Sequence, residues 1–318
     1  MAFGCTKTAL TIDFKEETME HSLRIRDIFN LAAPDTWAAS VMPSILALVI
    51  SYRIAGQLKA DMAICLFLSA ILMQSSVNAL NDYADFVKGT DVLENSPDAS
   101  DAVIVYGLNP KTARNLGIAF LVLAFVPGGY TVYRCGWVPL VIGLIGALVV
   151  VFYSMGRTPI SYLPFGELTS GFVMGGLITL AGVYLLTNVF DIKVLLLALP
   201  VIIGIGMIMF SNNGCDIERD TQAGRHTLPC ILGKERTTIC YRLMLLIWIL
   251  SPILVLAIFV GPFGVLIYLL ECPVFAARLI RQLTTPLGGE TRGMIMAGIS
   301  GLGIIVEFAY YVAFLIGS

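Results

Sequence analysis

The chain has 318 residues, 57% of them hydrophobic and 13% charged, with a formal net charge of -2. So small a charged fraction excludes an ordinary soluble domain, and no basic stripe offers a footing for nucleic acid. Seven scattered cysteines without pair spacing indicate neither a disulfide framework nor a zinc site.

Residues 1–36 read as a polar leader with no apolar core of the signal-peptide kind. It ends in an amphipathic segment around Leu23–Leu31, suited to a membrane interface. Residues 37–318 then form one membrane domain. Its apolar runs lie at Trp37–Tyr52, Asp61–Leu80, Leu116–Tyr133, Trp137–Tyr153, Phe165–Leu186, Ile192–Phe210, Tyr241–Val260, Phe263–Leu279 and Met294–Ile316. Several approach the ~20 residues a helix needs to cross a bilayer, and none alternates as a barrel strand would. The fold predicted is an all-α integral membrane bundle of nine transmembrane helices.

Two connections are long, from about Asn81 to Asn115 and from about Ser211 to Cys240, and each opens with acids. The first carries Asn81, Asp82, Asp85, Lys88 and Asp91. The second carries Asn212, Asn213, Asp216, Glu218, Arg219 and Asp220. Asn-Asp-x-x-Asp in one half and Asn-Asn-x-x-Asp in the other hint at an internal repeat, which in membrane bundles places a site at the repeat interface. Sixteen of the 20 Lys and Arg fall in the leader and after even-numbered spans. Only Arg53, Lys59, Arg134 and Lys193 fall on the other side. The positive-inside rule then puts the leader and both acidic stretches in the cytoplasm, in a multi-pass protein of the cell membrane.

Asp82 and Asp85 are spaced to share a helix face, and so are Asp216 and Asp220. Converging carboxylates need a compensating charge, and hard oxygen ligands suit Mg2+ when a phosphate shares the site. Asp82, Asp85, Asp91, Asp216 and Asp220 are the candidate metal ligands, and Asp82, Asp85, Asp216 and Asp220 the candidate catalytic acids. Asn81, Asn212, Lys88, Arg219 and Arg225 would assist in binding a diphosphate, and Lys111 and Arg114 fit a solvated surface at least as well. A metal-held diphosphate can leave a carbon atom and generate an allylic cation.

These residues resemble the UbiA-type membrane prenyltransferases, and within them most of all the branch that prenylates 1,4-dihydroxy-2-naphthoate in menaquinone synthesis. The resemblance rests on Asn81–Asp91, on Asn212–Asp220 with its continuation Gly224–Pro229 and Leu232-Gly233, on Pro34–Pro43, and on Tyr153–Glu167 with Pro159, Ile160, Tyr162 and Gly166. It implies nine helices, Mg2+ as cofactor, and a prenyl diphosphate and a small aromatic acceptor as partners in the lipid bilayer, with no obligate protein partner. It also implies that Glu167 lies near the acceptor. Tyr153 and Tyr83 are candidates to face a carbocation. Between Val92 and Tyr106, where the family shows an Arg, this chain has no Lys or Arg.

Two other readings remain open at this stage. A terpene cyclase would use the same acids and no acceptor. A divalent-cation transporter would use them as a pathway, with only Glu271 and Glu307 as polar steps through the bilayer. Gly171–Gly176 reads as helix packing.

Overall fold

The computed structural model describes residues 22–90 and 103–317. Asp91, and most of the base-free stretch after it, lie outside the described residues. The elements are helices: α1 (Ile25–Ala32), α2 (Ala38–Ala55), α3 (Ala60–Val87), α4 (Pro110–Cys135), α5 (Val138–Ser154), α6 (Gly166–Thr187), α7 (Leu199–Cys215), α8 (Ile217–Gln222), α9 (Leu228–Phe259), α10 (Pro262–Thr284) and α11 (Arg292–Ile316). Short helical turns at Pro34–Thr36, Ile160–Tyr162, Val194–Leu197 and Gly289–Thr291 join them.

Every apolar run of the sequence falls on an apolar helix. Seven of these helices are long and apolar enough to cross a membrane: α2, α3, α4, α6, α9, α10 and α11 with its preceding turn. The helices α5 and α7 are apolar but only 17 residues long, a rise of about 25 Å against a hydrocarbon core of about 30 Å. The outer faces of the bundle stay apolar, with Val122, Leu148 and Leu270 all exposed, as lipid-facing helices require.

Boundaries shift where polar residues continue a helix. The stretch Ser211–Cys240, expected as a loop, is mostly helix: it holds the end of α7, all of α8 and the first turns of α9. Thr227 caps α9, its hydroxyl accepting from the Cys230 N–H at 3.4 Å, and Pro229 sits in the first turn, where a missing N–H costs nothing. Gly233, at φ +73°, interrupts α9 before its apolar part begins. Lys234, Glu235 and Arg236 hide this polar helical start from a search for apolar runs.

The core lies where α7 meets α9 and α11, around the fully buried Trp248, Tyr310, Leu302 and Val306. Glu307 is buried here too, accepting from the Tyr311 hydroxyl at 3.4 Å. The glycines of α6 do what their spacing implies. A Cβ on Gly171 would stand 2.5 Å from the Ile202 carbonyl oxygen, and one on Gly175 would stand 2.8 Å from the Ile202 Cα. Backbone therefore meets backbone between α6 and α7, and α6 widens to a π-helical turn over Gly171–Leu177 at that contact.

Candidate active site

Both acidic stretches end in the same device. α3 stops at Gly89, whose φ of +70° only glycine adopts freely, and the Thr90 N–H turns back to the Asp85 carbonyl at 2.8 Å. α8 stops at Gly224, with φ +73°, and the Arg225 N–H turns back to the Asp220 carbonyl at 2.8 Å. In each case the residue after the glycine bonds the aspartate five residues earlier, a Schellman-type cap. The structural counterpart of Asp85 is therefore Asp220. The sequence repeat Asn-Asp-x-x-Asp and Asn-Asn-x-x-Asp had paired Asp85 with Asp216, one turn out of register.

This second turn aims Arg225 at both stretches. Its Nη2 donates to Asp85 Oδ1 in a short bond, and its Nη1 lies 3.4 Å from Asp220 Oδ1. The two long connections thus meet at one mouth of the bundle, joined by a guanidinium. Burial alone would lower the Arg225 pKa, but the carboxylates of Asp85 and Asp220 outweigh it and hold the group charged. Asp85, Asp216 and Asp220 are 5%, 8% and 1% exposed. Asp220 is the extreme case. Neither of its carboxylate oxygens has a hydrogen bond, and burial pushes its pKa up to about 6 although Arg225 pulls it down.

Around this centre, Asn81 donates to Asp85 Oδ2 at 2.9 Å and accepts from the Ser154 hydroxyl at 2.7 Å. Lys88 donates to the Ser154 carbonyl at 2.8 Å, and its partial burial lowers its pKa. Tyr162 stands between two cations, with Lys88 Nζ 4.5 Å and Arg225 Cζ 5.0 Å from its ring centre. Asn213 donates to Glu167 Oε1 at 2.9 Å, while the buried Glu167 Oε2 has no partner. Asn212 and Asp216 are both held by Arg292. Arg219, on α8, is half-buried, and its charge acts on Asp220.

Below the mouth runs a cavity of about 440 Å³ between α3, α4, α5 and α6. Asn81, Asp82 and Tyr153 line its upper end. Its wall extends down α3 to Cys65 and Leu66, roughly 25 Å along the helix axis at 1.5 Å per residue. That wall is apolar, with Met73, Val132, Ile178 and Leu185 among its residues.

The predicted residues Asn81, Asp85, Lys88, Asp220 and Arg225 come together directly. Asp82 and Tyr153 look into the cavity, and Glu167 joins through Asn213. Tyr83 instead packs against the small cluster that contains Leu31, Val103 and Ala113, with Arg114 over its ring at 5.9 Å. Among the described residues no three carboxylates converge tightly enough to form a ready-made metal cage, because Arg225 and Arg292 meet their charges instead. The donors nonetheless suit a divalent cation. They are hard carboxylate oxygens, and two of them, on Asp220, are buried without a hydrogen bond. Sequence reasoning missed Ser154, Tyr162 and Arg292 as members of the site. Ser154 and Arg292 carried no motif, and Tyr162 stood only as a family residue.

Residues 40–290 match the model of the UbiA prenyltransferase family. A 1,4-dihydroxy-2-naphthoate octaprenyltransferase of Bacillus subtilis is 33% identical over 210 residues, 65% of this chain. The match spans 66% of that relative, just under two thirds of its length. An enzyme of the same name from Haemophilus influenzae is 25% identical, covering 80% of this chain and 84% of its own. In fold, the chain resembles a UbiA homolog from Archaeoglobus fulgidus bound to GPP and Mg2+, with a TM-score of 0.62 over 89% of this chain and 99% of the other, at 16% identity.

Proposed function

The chain belongs to the UbiA prenyltransferase family, and on that premise we propose that it transfers an isoprenoid chain from a prenyl diphosphate to an aromatic acceptor inside the membrane. The observation that carries this reading is the union of two acidic stretches through Arg225 at the head of a long apolar cavity. A polar, cation-binding mouth over an apolar shaft matches an amphiphile with a diphosphate head and a hydrocarbon tail.

In this reading Asp82, Asp85, Asp216 and Asp220 hold a divalent cation, most simply Mg2+, with Asn81, Asn212 and Asp91 assisting. When bound, that ion would neutralise the charge developing on the departing diphosphate. Lys88, Arg219 and Arg225 bind the diphosphate oxygens as the C–O bond breaks and its electron pair leaves with the diphosphate. The ring face of Tyr153, which lines the cavity, steadies the allylic cation. The apolar wall of the cavity keeps water from quenching it. An electron-rich aromatic carbon attacks, and the product regains aromaticity by losing a proton, or carbon dioxide where that carbon bears a carboxylate. The two relatives named 1,4-dihydroxy-2-naphthoate octaprenyltransferases support that compound as the acceptor, with Glu167 close to it.

One observation favours a second reading, a cyclase with no acceptor. Among the described residues lining the cavity there is one carboxylate, Asp82, and no Lys, Arg or His. An acceptor carboxylate would find no counter-ion there. In either reading α5 and α7 count as crossings, so the domain of residues 37–318 spans nine times, with leader and mouth on the cytoplasmic side; the distribution of Lys and Arg supports this. Asp85→Ala and Asp216→Ala test the shared site. Each is expected to reduce diphosphate release by at least about a hundredfold, in line with the loss of a preorganised charge at a reacting centre, while the protein stays folded in detergent. Full turnover in both variants, or in EDTA, would contradict the assignment.

A further inference from the structure

The last connection of the chain, between α10 and α11, docks on the second acidic stretch. Leu287 is buried, and its Cδ1 would stand 3.3 Å from a Cβ on Gly214. The backbone amide of Gly288 reaches the Cys215 sulfur. Thr291 pins the turn, its hydroxyl donating to the Pro286 carbonyl at 2.7 Å and to the Gly288 carbonyl at 3.0 Å. The next residue is Arg292. Its Nε donates to Asp216 Oδ2 at 3.0 Å and its Nη2 to Asn212 Oδ1 at 2.8 Å. Its Nη1 makes no hydrogen bond to a described residue, and the side chain is 37% exposed.

A base at this position runs against local helix physics. Arg292 is the first residue of α11, where the helix dipole presents positive charge and favours an acid. A contact serving only to fix the connection would be met as well by an amide. What a guanidinium adds is a planar set of donors, two committed to Asp216 and Asn212 and the rest uncommitted on a part-exposed side chain, and such a fork can grip an anion bidentately.

We infer that Arg292 is a substrate-binding residue of this site: it holds Asp216 and Asn212 in place and offers its remaining N–H groups to the diphosphate. This rests on the reading of the acidic stretches as a metal–diphosphate site. It assigns the final connection, sequence-distant from both stretches, to the site. It also supplies a base that the stretch Val92–Tyr106 does not contain.

The assignment makes two binding constants move in opposite directions. Arg292 competes with a cation for Asp216 but attracts an anion. The full-length protein in detergent is titrated with Mn2+ alone, followed by the free-ion resonance signal, and then with inorganic pyrophosphate at saturating Mn2+. R292Q is expected to bind Mn2+ alone at least as tightly as wild type, and to bind Mn2+–pyrophosphate about tenfold more weakly or worse. R292K, which keeps the charge and loses the fork, is expected to fall between. Size-exclusion and helical circular dichroism check that each variant is folded. A merely structural role would weaken both constants together, and that result, or no change in either, would overturn the inference alone. Wild-type protein that binds neither probe would overturn the metal–diphosphate reading and this inference with it.

Discussion

Asp220 is a buried carboxylate under electrostatic tension, outside the membrane spans. Its carboxylate is buried without a hydrogen bond, and burial lifts its pKa from 3.8 to about 6. A raised carboxyl stabilises the fold in its protonated form. That contribution is fully present below about pH 4 and is lost as pH rises through about 6. Asp220→Asn is therefore expected to raise the melting temperature in detergent at about pH 8 and to leave it unchanged at about pH 4, while removing turnover. A lower melting temperature at the higher pH would show that Arg225 needs Asp220 more than burial penalises it. On the proposed metal reading, the same titration sets the pH dependence of cation binding. Affinity for Mn2+ is expected to fall by up to about tenfold per pH unit below about 6, as protons compete for Asp220. A flat profile between about pH 5 and 8 would remove Asp220 from the ligand set. Asn213 and Glu167 form a second buried pair. Asn213→Ala leaves that carboxylate without its donor and is expected to cost about 1–3 kcal/mol of stability, read as a shifted unfolding midpoint.

At the level of elements, α6 and α7 touch through glycine, and the expected cost of filling that contact is specific. Gly171→Ala puts a methyl 2.5 Å from the Ile202 carbonyl oxygen, and overpacking of this kind costs about 1–3 kcal/mol. Gly301→Ala on α11 meets nothing within 4 Å and is expected to be neutral or slightly stabilising by helix propensity. Equal unfolding midpoints for the two variants would contradict the packing account. The same pair of helices marks what sequence can reveal. The glycine run in α6 announced close packing through its spacing, and the apolar runs announced helices through their length. The polar start of α9 carried neither signal, so Ser211–Cys240 read as loop. The acids at the ends of α3 and α8 were legible because a carboxylate beside an apolar run has few structural uses. Arg292 was not, because its partners Asp216 and Asn212 lie 76 and 80 residues away, and only tertiary folding brings them together. The register of the repeat was also hidden. It is set by Gly89 and Gly224 in left-handed conformation, not by the acids themselves.

At the scale of the whole molecule, the buried core runs mainly through α2, α6, α7, α9 and α11, while α3, α4, α5 and α6 surround the cavity. The mouth lies at the head of that cavity, and on the proposed reading this asymmetry seats a charged head in polar surroundings and a long tail in apolar ones. Orientation is open to a direct check. Single cysteines replacing Lys88 and Arg53 are expected to label from opposite sides of the membrane, with Lys88 cytoplasmic; labelling of both from one side, or of Lys88 from outside, would contradict the orientation drawn from the Lys and Arg distribution. Transfer itself is read from its product. Purified protein with Mg2+ and a panel of prenyl diphosphates, with and without 1,4-dihydroxy-2-naphthoate, is analysed by mass spectrometry of the lipid-phase products. A prenylated, decarboxylated naphthoquinol is expected, one that requires both substrates and disappears in EDTA. Diphosphate release giving only hydrocarbon or alcohol, whether or not the acceptor is present, would contradict transfer.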